Sequence, residues 1–176
     1  MNDQRRITGL ISRKSGERFE TWLSQACEYY QREGLAVIEK TPEPMKPLGK
    51  ADKFGRFLAC FTKQAQPDFK GALCDGTCII FDAKHTEKDR IQQSVITKTQ
   101  WDMLDKYEAM SARCYVVVSI GLTSYYRVPW GVWKRMKDLF GHKYMTCSEL
   151  ELYKVPERNC TILFLEGVEL RNEDLY

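Results

Sequence analysis

The sequence predicts a mixed α/β fold in which a central mixed β-sheet is flanked by helices. Two segments repeat apolar residues at the three- and four-residue spacing of amphipathic helices, and short β-prone runs separate and follow them. The continuous β-branched run at 114–120 is typical of a strand covered on both faces. A chain of 176 residues with 43% hydrophobic content can bury one core of ordinary size, so we expect residues 15–176 to form a single domain.

Composition and charge exclude several classes of protein. The net charge of +3 is too small to identify a nucleic-acid-binding protein by itself, so such a function depends on where the charges lie. The run at 114–120 is far too short to span a bilayer, and no membrane partner is expected. Seven cysteines are an odd number and no signal peptide precedes them, which favours free thiols in a reducing cytoplasm. Cys74 and Cys78 have no second close pair, so zinc is poorly supported.

The N-terminal region divides into a basic tail and a helix. Residues 1–14 show no helical or strand period, and we expect them to form a mobile tail that is either simply solvated or in contact with phosphates. From 15 to 32 apolar residues recur at helical spacing, and Gly34 is a typical stop. Glu20 lies at the border of the apolar stripe, either as a flanking residue that reaches water or as a third acid for a metal. The basic residues of the tail are Arg5, Arg6, Arg13 and Lys14.

An irregular, basic insertion separates two predicted strands at 35–40 and 57–62. Three prolines and two glycines prevent a long regular element there. A solvated loop would account for its charge, but a long insertion in a compact domain is uncommon unless it binds something. Basic residues next to phenylalanines suit a DNA backbone with exposed bases. The basic residues of this insertion, at about 45–57, are Lys46, Lys50, Lys53 and Arg56.

A hairpin is predicted at 69–83, with an Asp-Gly turn at 75–76. Its register determines whether a site exists. A plain two-residue turn would send Asp68 and Asp82 to opposite faces of the sheet. If the glycine is instead the left-handed third residue of a bulged three-residue loop, the two aspartates lie opposite each other and Lys84 shares their face.

Facing aspartates would be suited to binding a metal. Two carboxylates that face each other across a ladder repel each other and destabilise the pair, but a divalent cation bound between them makes the arrangement favourable. Mg²⁺ typically takes one or two carboxylates, completed by waters and substrate phosphate oxygens. This face therefore suits phosphodiester cleavage, with Lys84 orienting a water or offsetting charge at phosphorus. The alternative is a solvated hairpin end with a surface ion pair.

The remaining sequence adds one polar residue to an apolar helix. A helix is predicted at about 95–110, where Gln100 falls on the apolar face. Such an amide either satisfies backbone groups or faces the acidic residues and holds a water or metal ligand. His85, in a charged stretch, is more simply a bystander than a general base. The later elements are expected to be strands at 114–120 and 124–128, a helix at 130–140, and a smaller strand-bearing layer that includes 149–155 and 161–165.

Taken in order, these segments resemble the RecU-type Holliday junction resolvases, also described as penicillin-binding-protein-related factor A, within the PD-(D/E)xK nuclease superfamily. The resemblance covers roughly residues 15–130. Asp82 stands where that family usually has a glutamate, and Gln66-Pro67 replaces the usual threonines. The matching segments are Gly16-Glu17-Arg18-Phe19-Glu20, Leu35–Lys40 with Thr41-Pro42-Glu43-Pro44, the basic insertion that follows, Asp68-Phe69-Lys70-Gly71, Phe81-Asp82-Ala83-Lys84-His85-Thr86 and Gln100.

The resemblance implies a restriction-endonuclease-like core that works as a homodimer, with the insertion at 45–57 as a stalk at the centre of the junction. It implies Mg²⁺-dependent resolution of four-way DNA junctions by paired symmetric nicks, with Mn²⁺ as a substitute metal, in the cytoplasm of a bacterium or as a phage product. Recombination proteins are candidate partners. Two alternatives stay open: a nuclease of this fold acting on forks, flaps or duplexes, and a non-catalytic junction-bridging protein. The implied catalytic residues are Asp68, Asp82, Lys84 and Gln100, and the implied metal ligands are Asp68, Asp82 and Glu20.

Overall fold

The structure is a computed structural model that describes residues 2–42, 44–61 and 66–168. Its α-helices are α1 (Asn2–Arg32), α2 (Lys98–Ala109), α3 (Trp130–Lys134), α4 (Met136–Phe140) and α5 (Cys147–Leu150), with 3-10 turns at Gln93–Val95 and Glu151–Tyr153. Its strands are β1 (Ala36–Lys40), β2 (Met45–Pro47), β3 (Ala59–Phe61), β4 (Phe69–Leu73), β5 (Cys78–Thr86), β6 (Arg90–Gln92), β7 (Arg113–Ile120), β8 (Ser124–Pro129), β9 (Tyr144–Thr146), β10 (Glu157–Arg158) and β11 (Thr161–Ile162).

Within the described residues, five strands form a sheet in the order β1-β4-β5-β7-β8. β5 and β7 pair in parallel, with α2 in the crossover between them, and the other neighbouring strands are antiparallel. One face of the sheet packs against α1 and forms a core that includes Leu23 and Phe81. The other face packs against α2 and α3 and forms a second core that includes Leu104 and Val116. The predicted central mixed sheet flanked by helices is confirmed.

The β4–β5 hairpin has the register that brings the two aspartates together. Phe69 pairs with Phe81, and towards the turn Leu73 donates its backbone N–H to the carbonyl of Thr77. Gly76 has φ +77°, the left-handed conformation of a bulged loop. Of the two turns that the sequence left open, the structure has the bulged three-residue loop and not the two-residue turn.

Gly71 in β4 lets β1 lie close beside it. A Cβ atom built at this position would lie 2.0 Å from the carbonyl oxygen of Val37. Only glycine fits there, because the obstructing atom belongs to the backbone of the neighbouring strand.

The N-terminal segment differs from its prediction. α1 begins at Asn2, so the expectation that residues 1–14 lack helical structure is wrong for residues 2–14. Extending an existing helix costs far less than starting one, and the pair between Arg13 Nε and Glu17 Oε1, 3.0 Å apart, bridges the predicted boundary. The backbones of Arg5 and Arg6 are helical, but their side chains lie outside the described part of the structure.

The C-terminal region also differs. No strand forms at 149–155 among the described residues, because Thr146 and Glu149 form a capping box that starts α5. The strands that do form there, β10 and β11, form a short two-residue ladder. No helix in the described part of the chain is long and apolar enough to cross a bilayer.

Candidate active site

The β4–β5 hairpin brings Asp68 and Asp82 to neighbouring positions. The ladder pairs Phe69 with Phe81, so the next step places Asp68 opposite Asp82. Asp82 lies within the central strand and its exposed fraction is 0%. Asp68 is half-buried, and its Oδ2 accepts a hydrogen bond of 2.9 Å from the backbone N–H of Ala83. The two carboxylates therefore have different surroundings, one dry and one facing an opening.

Lys84 lies between these carboxylates. Its Nζ contacts Asp82 Oδ2 and lies 3.9 Å from Asp68 Oδ2. Burial lowers the pKa of Lys84, but the attraction of Asp82 and Asp68 outweighs it, and the net effect raises the pKa above its ordinary value. Lys84 is therefore an ammonium that offsets the repulsion between the two acids.

Gln100 connects α2 to the acidic pair. Its Nε2 donates to Asp82 Oδ1 over 2.6 Å, while its Oε1 accepts from the backbone N–H and the hydroxyl of Thr97, each at 3.0 Å. Thr97 is the N-cap of α2, so a capping box aims the amide at Asp82. The role of Thr97 was not predicted from the sequence, although the Thr-x-x-Gln spacing is a known signal for such a cap.

Burial dominates the protonation of Asp82. Desolvation raises the pKa of this carboxyl to about 7, assisted by the negative charge of Asp68 and opposed by the ammonium of Lys84. Lys84 alone would lower the pKa, but its attraction does not compensate for the loss of water. Asp82 thus changes charge near neutral pH, and a cation bound beside it would favour the ionised form.

The donor set fits a hard divalent cation. Carboxylates on adjacent strands are the ligands through which Mg²⁺ is commonly held. Among the described residues, no three His, Cys, Asp or Glu side chains gather closely enough to hold a metal ion alone. Waters and substrate phosphate oxygens would therefore complete the coordination of a metal at Asp68 and Asp82.

Glu20 lies beside the site but is engaged elsewhere. Its Oε2 is 2.6 Å from Nζ of Lys40 at the end of β1. The negative charge of Glu20 still contributes to the raised pKa of Lys84, so the three groups are near one another. A cavity of about 330 Å³ opens here, lined by Glu20, Lys40, Thr41, Pro42, Pro44, Gln66 and Asp68.

The predicted DNA-binding residues of the insertion lie on a separate hairpin, β2–β3. Its turn is organised by Asp52, whose Oδ1 accepts the backbone N–H groups of Phe54 and Arg56 at 2.8 and 3.0 Å. Lys53 Nζ and the Arg56 guanidinium each lie 5.1 Å from the centre of the Phe54 ring. The exposed residues of this hairpin include Lys46, Lys50, Lys53 and Arg56.

His85 does not join the acidic pair. Its side chain is buried, with Nδ1 3.3 Å from the hydroxyl of Ser119 and Nε2 2.9 Å from Oε1 of Glu87. Because side chains alternate along β5, His85 points to the face opposite Lys84. The structure therefore brings together Asp68, Asp82, Lys84 and Gln100, with Glu20 at their border.

The known proteins that are similar to the chain include a bacterial and an archaeal one. "Holliday junction resolvase RecU" of Streptococcus pneumoniae (strain Hungary19A-6) is 26% identical over 127 residues, which are 67% of this chain and 64% of that protein. The chain thus spans less than two thirds of this relative's length. A solved structure of Archaeoglobus fulgidus Hjc, a Holliday junction resolvase from an archaeal hyperthermophile, is similar over 79% of this chain and 89% of its own, with 11% identity and a TM-score of 0.49.

The family comparison covers more of the chain. The family described as "RecU: Recombination protein U" matches residues 14–169, which include the acidic pair, Lys84, Gln100 and both flanking layers of the sheet. Because this match extends over well more than half of the 176 residues, the chain belongs to the RecU family of recombination proteins.

Proposed function

We propose that this chain is a divalent-metal-dependent endonuclease that resolves four-way DNA junctions by paired symmetric nicks, one from each subunit of a homodimer. The observation that carries the proposal is the contact of Asp82 with both Lys84 and Gln100, beside Asp68 at the mouth of the site. Membership of the RecU family, and a relative described as a Holliday junction resolvase, support the four-way junction as substrate.

In the proposed mechanism, Asp68 and Asp82 would hold Mg²⁺, or Mn²⁺ in its place. When bound, the cation supplies Lewis-acid stabilisation of the phosphate and a more acidic water. Gln100 fixes the orientation of the Asp82 carboxylate through its hydrogen bond to Oδ1. Because its raised pKa keeps Lys84 protonated, Lys84 orients the attacking water or stabilises charge on the phosphate and does not act as a general base.

The β2–β3 hairpin supports branched DNA as the substrate. It combines lysines with the exposed rings of Phe54 and Phe57, a combination that suits a phosphate backbone whose bases are accessible. Such bases occur at the centre of an open junction and not along an intact duplex. Arg13 and Lys14, in the N-terminal half of α1, would add contacts to phosphates in the same way.

The decisive experiment compares DNA forms side by side. Purified protein is incubated with a labelled immobile four-way junction, a fork, a flap and a matched duplex, each with Mg²⁺ and with EDTA. We expect Mg²⁺-dependent, symmetric nicks confined to the junction. Preferential cleavage of forks, flaps or duplex would replace this proposal with a nuclease of another target, and tight junction binding without cleavage in any metal would indicate a bridging protein.

A pair of variants links the activity to the site. Asp82→Asn should abolish cleavage and leave junction binding intact, because it removes a metal ligand without changing the surface. Asp102→Asn is the matched control, since Asp102 is an exposed acid of α2 whose ion-pair partner is Lys98. Retained cleavage in Asp82→Asn would contradict the role of Asp82.

A further inference from the structure

We propose that Lys40 withholds Glu20 from the metal site until a DNA phosphate enters the cavity beside Asp68 and takes Lys40 as its partner. This inference rests on the proposed function and concerns how its metal site is completed. Its basis is that one ion pair, between Lys40 and Glu20, lies in the wall of the cavity that Asp68 also lines.

The ion pair with Lys40 engages Glu20, which would otherwise be available as a metal ligand. Glu20 Oε2 lies 2.6 Å from Lys40 Nζ, and with Glu20 held this way no three acids gather around a metal position in the described residues. The side chains of Lys40 and Glu20 are 53% and 28% exposed, so water screens their attraction. An exposed pair of this kind is weak and can be exchanged for stronger partners, such as a phosphate for the lysine and a divalent cation for the glutamate.

The cavity has further groups that suit a phosphate. The Thr41 hydroxyl is buried in its wall and has no hydrogen-bond partner among the described residues. The backbone N–H of Thr41 donates to the carbonyl oxygen of Asp68 over 2.7 Å, which ties this wall to the metal site. A phosphate oxygen in the cavity would find the Lys40 ammonium as a donor next to Asp68, and the unpartnered Thr41 hydroxyl would become a second donor once its side chain turns towards the cavity.

The consequence is a coupling between DNA and metal. A phosphate that binds Lys40 frees Glu20 for the cation, and a cation that binds Glu20 frees Lys40 for the phosphate. Each ligand must then raise the affinity of the other by the same factor. The protein would hold metal weakly without DNA and assemble its full set of carboxylates only on substrate.

The first test measures metal binding without DNA. Calorimetric titration with Mn²⁺ at pH 8 compares the wild type with Lys40→Met, for which we expect affinity to rise by up to about fivefold as the competing ion pair is lost. Lys70→Met, which removes an exposed lysine from the neighbouring strand, should change nothing. Equal or weaker Mn²⁺ binding in Lys40→Met overturns the inference, and if cleavage is intact it leaves the proposed function standing.

A double-mutant cycle separates release of Glu20 from simple charge repulsion. In a Glu20→Gln background, Lys40→Met should no longer raise Mn²⁺ affinity. A gain that persists without Glu20 would mean that Lys40 merely repels cations, and would overturn the inference. Absence of Mn²⁺ binding in every variant would overturn both this inference and the proposed function.

A third measurement tests the coupling itself. In a Lys84→Ala background, expected not to cleave, addition of four-way junction DNA should tighten Mn²⁺ binding, and Lys40→Met should reduce that gain. Equal gains with and without Lys40 would overturn the exchange of partners.

Discussion

In the proposed mechanism, function and stability place opposite requirements on Asp82. A metal ligand must be ionised, whereas a carboxyl with an exposed fraction of 0% is more stable when protonated. The fold compensates partly, through the ammonium of Lys84 and the amide of Gln100. These two partners do not offset the cost of burying the charge, so the pKa of Asp82 stays raised, at about 7. The stability of the fold should therefore depend on pH.

Asp82→Asn should change how stability depends on pH. Because the folded-state pKa of Asp82 is raised above 3.8, its protonated form stabilises the fold fully below that value, and this contribution is lost as pH rises through about 7. The unfolding free energy of the wild type should therefore fall relative to Asp82→Asn, by up to about 1.4 kcal/mol per pH unit in that window. Urea denaturation in EDTA at several pH values between 4 and 8 measures the difference.

The control for this measurement is Asp102→Asn, an exposed acid on α2, which should stay within about 0.5 kcal/mol of the wild type throughout. A difference between wild type and Asp82→Asn that is constant with pH would contradict the raised pKa.

Gln100→Met should move the pH–rate profile of cleavage towards alkaline pH. The substitution removes the donor to Asp82 Oδ1, so the ionised carboxylate loses a stabilising partner and its pKa rises further. The unfolding free energy should also fall by about 1–2 kcal/mol, because Thr97 loses the side-chain half of the capping box and Asp82 loses a buried hydrogen bond. Gln93→Met is the matched control: it removes an amide that donates to the carbonyl of Trp133, and should destabilise without moving the profile.

At the scale of elements, the sequence predicted those features that depend on interactions between residues close together in the chain. The Asp-Gly turn at 75–76 indicates the hairpin, and its bulged alternative predicts the facing aspartates that the ladder contains. The sequence left open whether Gln100 faces the backbone or the acids; the structure shows that it does both, through Thr97 and Asp82. Contacts between residues far apart in sequence, such as Lys40 with Glu20, have no local signal and could not be predicted.

The elements that were missed have a common physical reason. α1 extends to Asn2 and α5 replaces a predicted strand because caps and helix propagation outweigh weak residue preferences. β6 and β9 pair across more than fifty residues of chain, at Ile91 and Met145, and short strands of this kind are defined by their partner and not by their own sequence.

Gly71→Ala should weaken the contact between β1 and β4. The added methyl group would overlap the carbonyl oxygen of Val37, and the strands can only separate to make room. We expect a loss of about 3 kcal/mol in unfolding free energy by chemical denaturation. Gly49→Ala is the control, since nothing lies within 4 Å of a Cβ atom there. Equal stability of the two variants would contradict the close approach of the strands.

The β2–β3 hairpin leads to a prediction about salt. Replacing Lys46, Lys50 and Lys53 by glutamine, while keeping the pair of Arg56 with Asp52 that shapes the turn, should weaken junction binding. The slope of log K against log salt should fall by up to about 3, since each phosphate contact contributes about 0.9. The same changes at the exposed Lys70, Lys106 and Lys137 form the control set. An unchanged slope in the hairpin variant would remove the hairpin from the DNA interface.

At the scale of the molecule, one sheet joins two cores. Alternate residues of β5 and β7 belong to opposite cores, as Phe81 and Ile80 do, so neither core can be lost without disturbing the strands that hold the other. The end of the described chain also returns to the start, because the Tyr30 hydroxyl accepts a hydrogen bond of 2.9 Å from the backbone N–H of Leu165. These connections favour the single domain expected from the sequence.

The corresponding prediction is one cooperative transition. Differential scanning calorimetry of the metal-free protein should give a calorimetric enthalpy equal to the van't Hoff enthalpy. Two separate transitions, or different midpoints by tryptophan fluorescence and far-ultraviolet circular dichroism, would mean that the two cores unfold independently.

The bulged turn at Gly76 determines which side chains of β5 face the candidate site, although it lies at the far end of the hairpin. Surface turns usually tolerate the gain or loss of a residue. If one residue were deleted from this loop, every later side chain of β5 would move to the other face of the sheet: Asp82 and Lys84 would both enter the aromatic core, and Phe81 would face Gln100 in their place. The length of this loop is therefore under the same constraint as the acids themselves, and a variant with a shorter loop would lose the proposed activity while keeping every residue assigned to it.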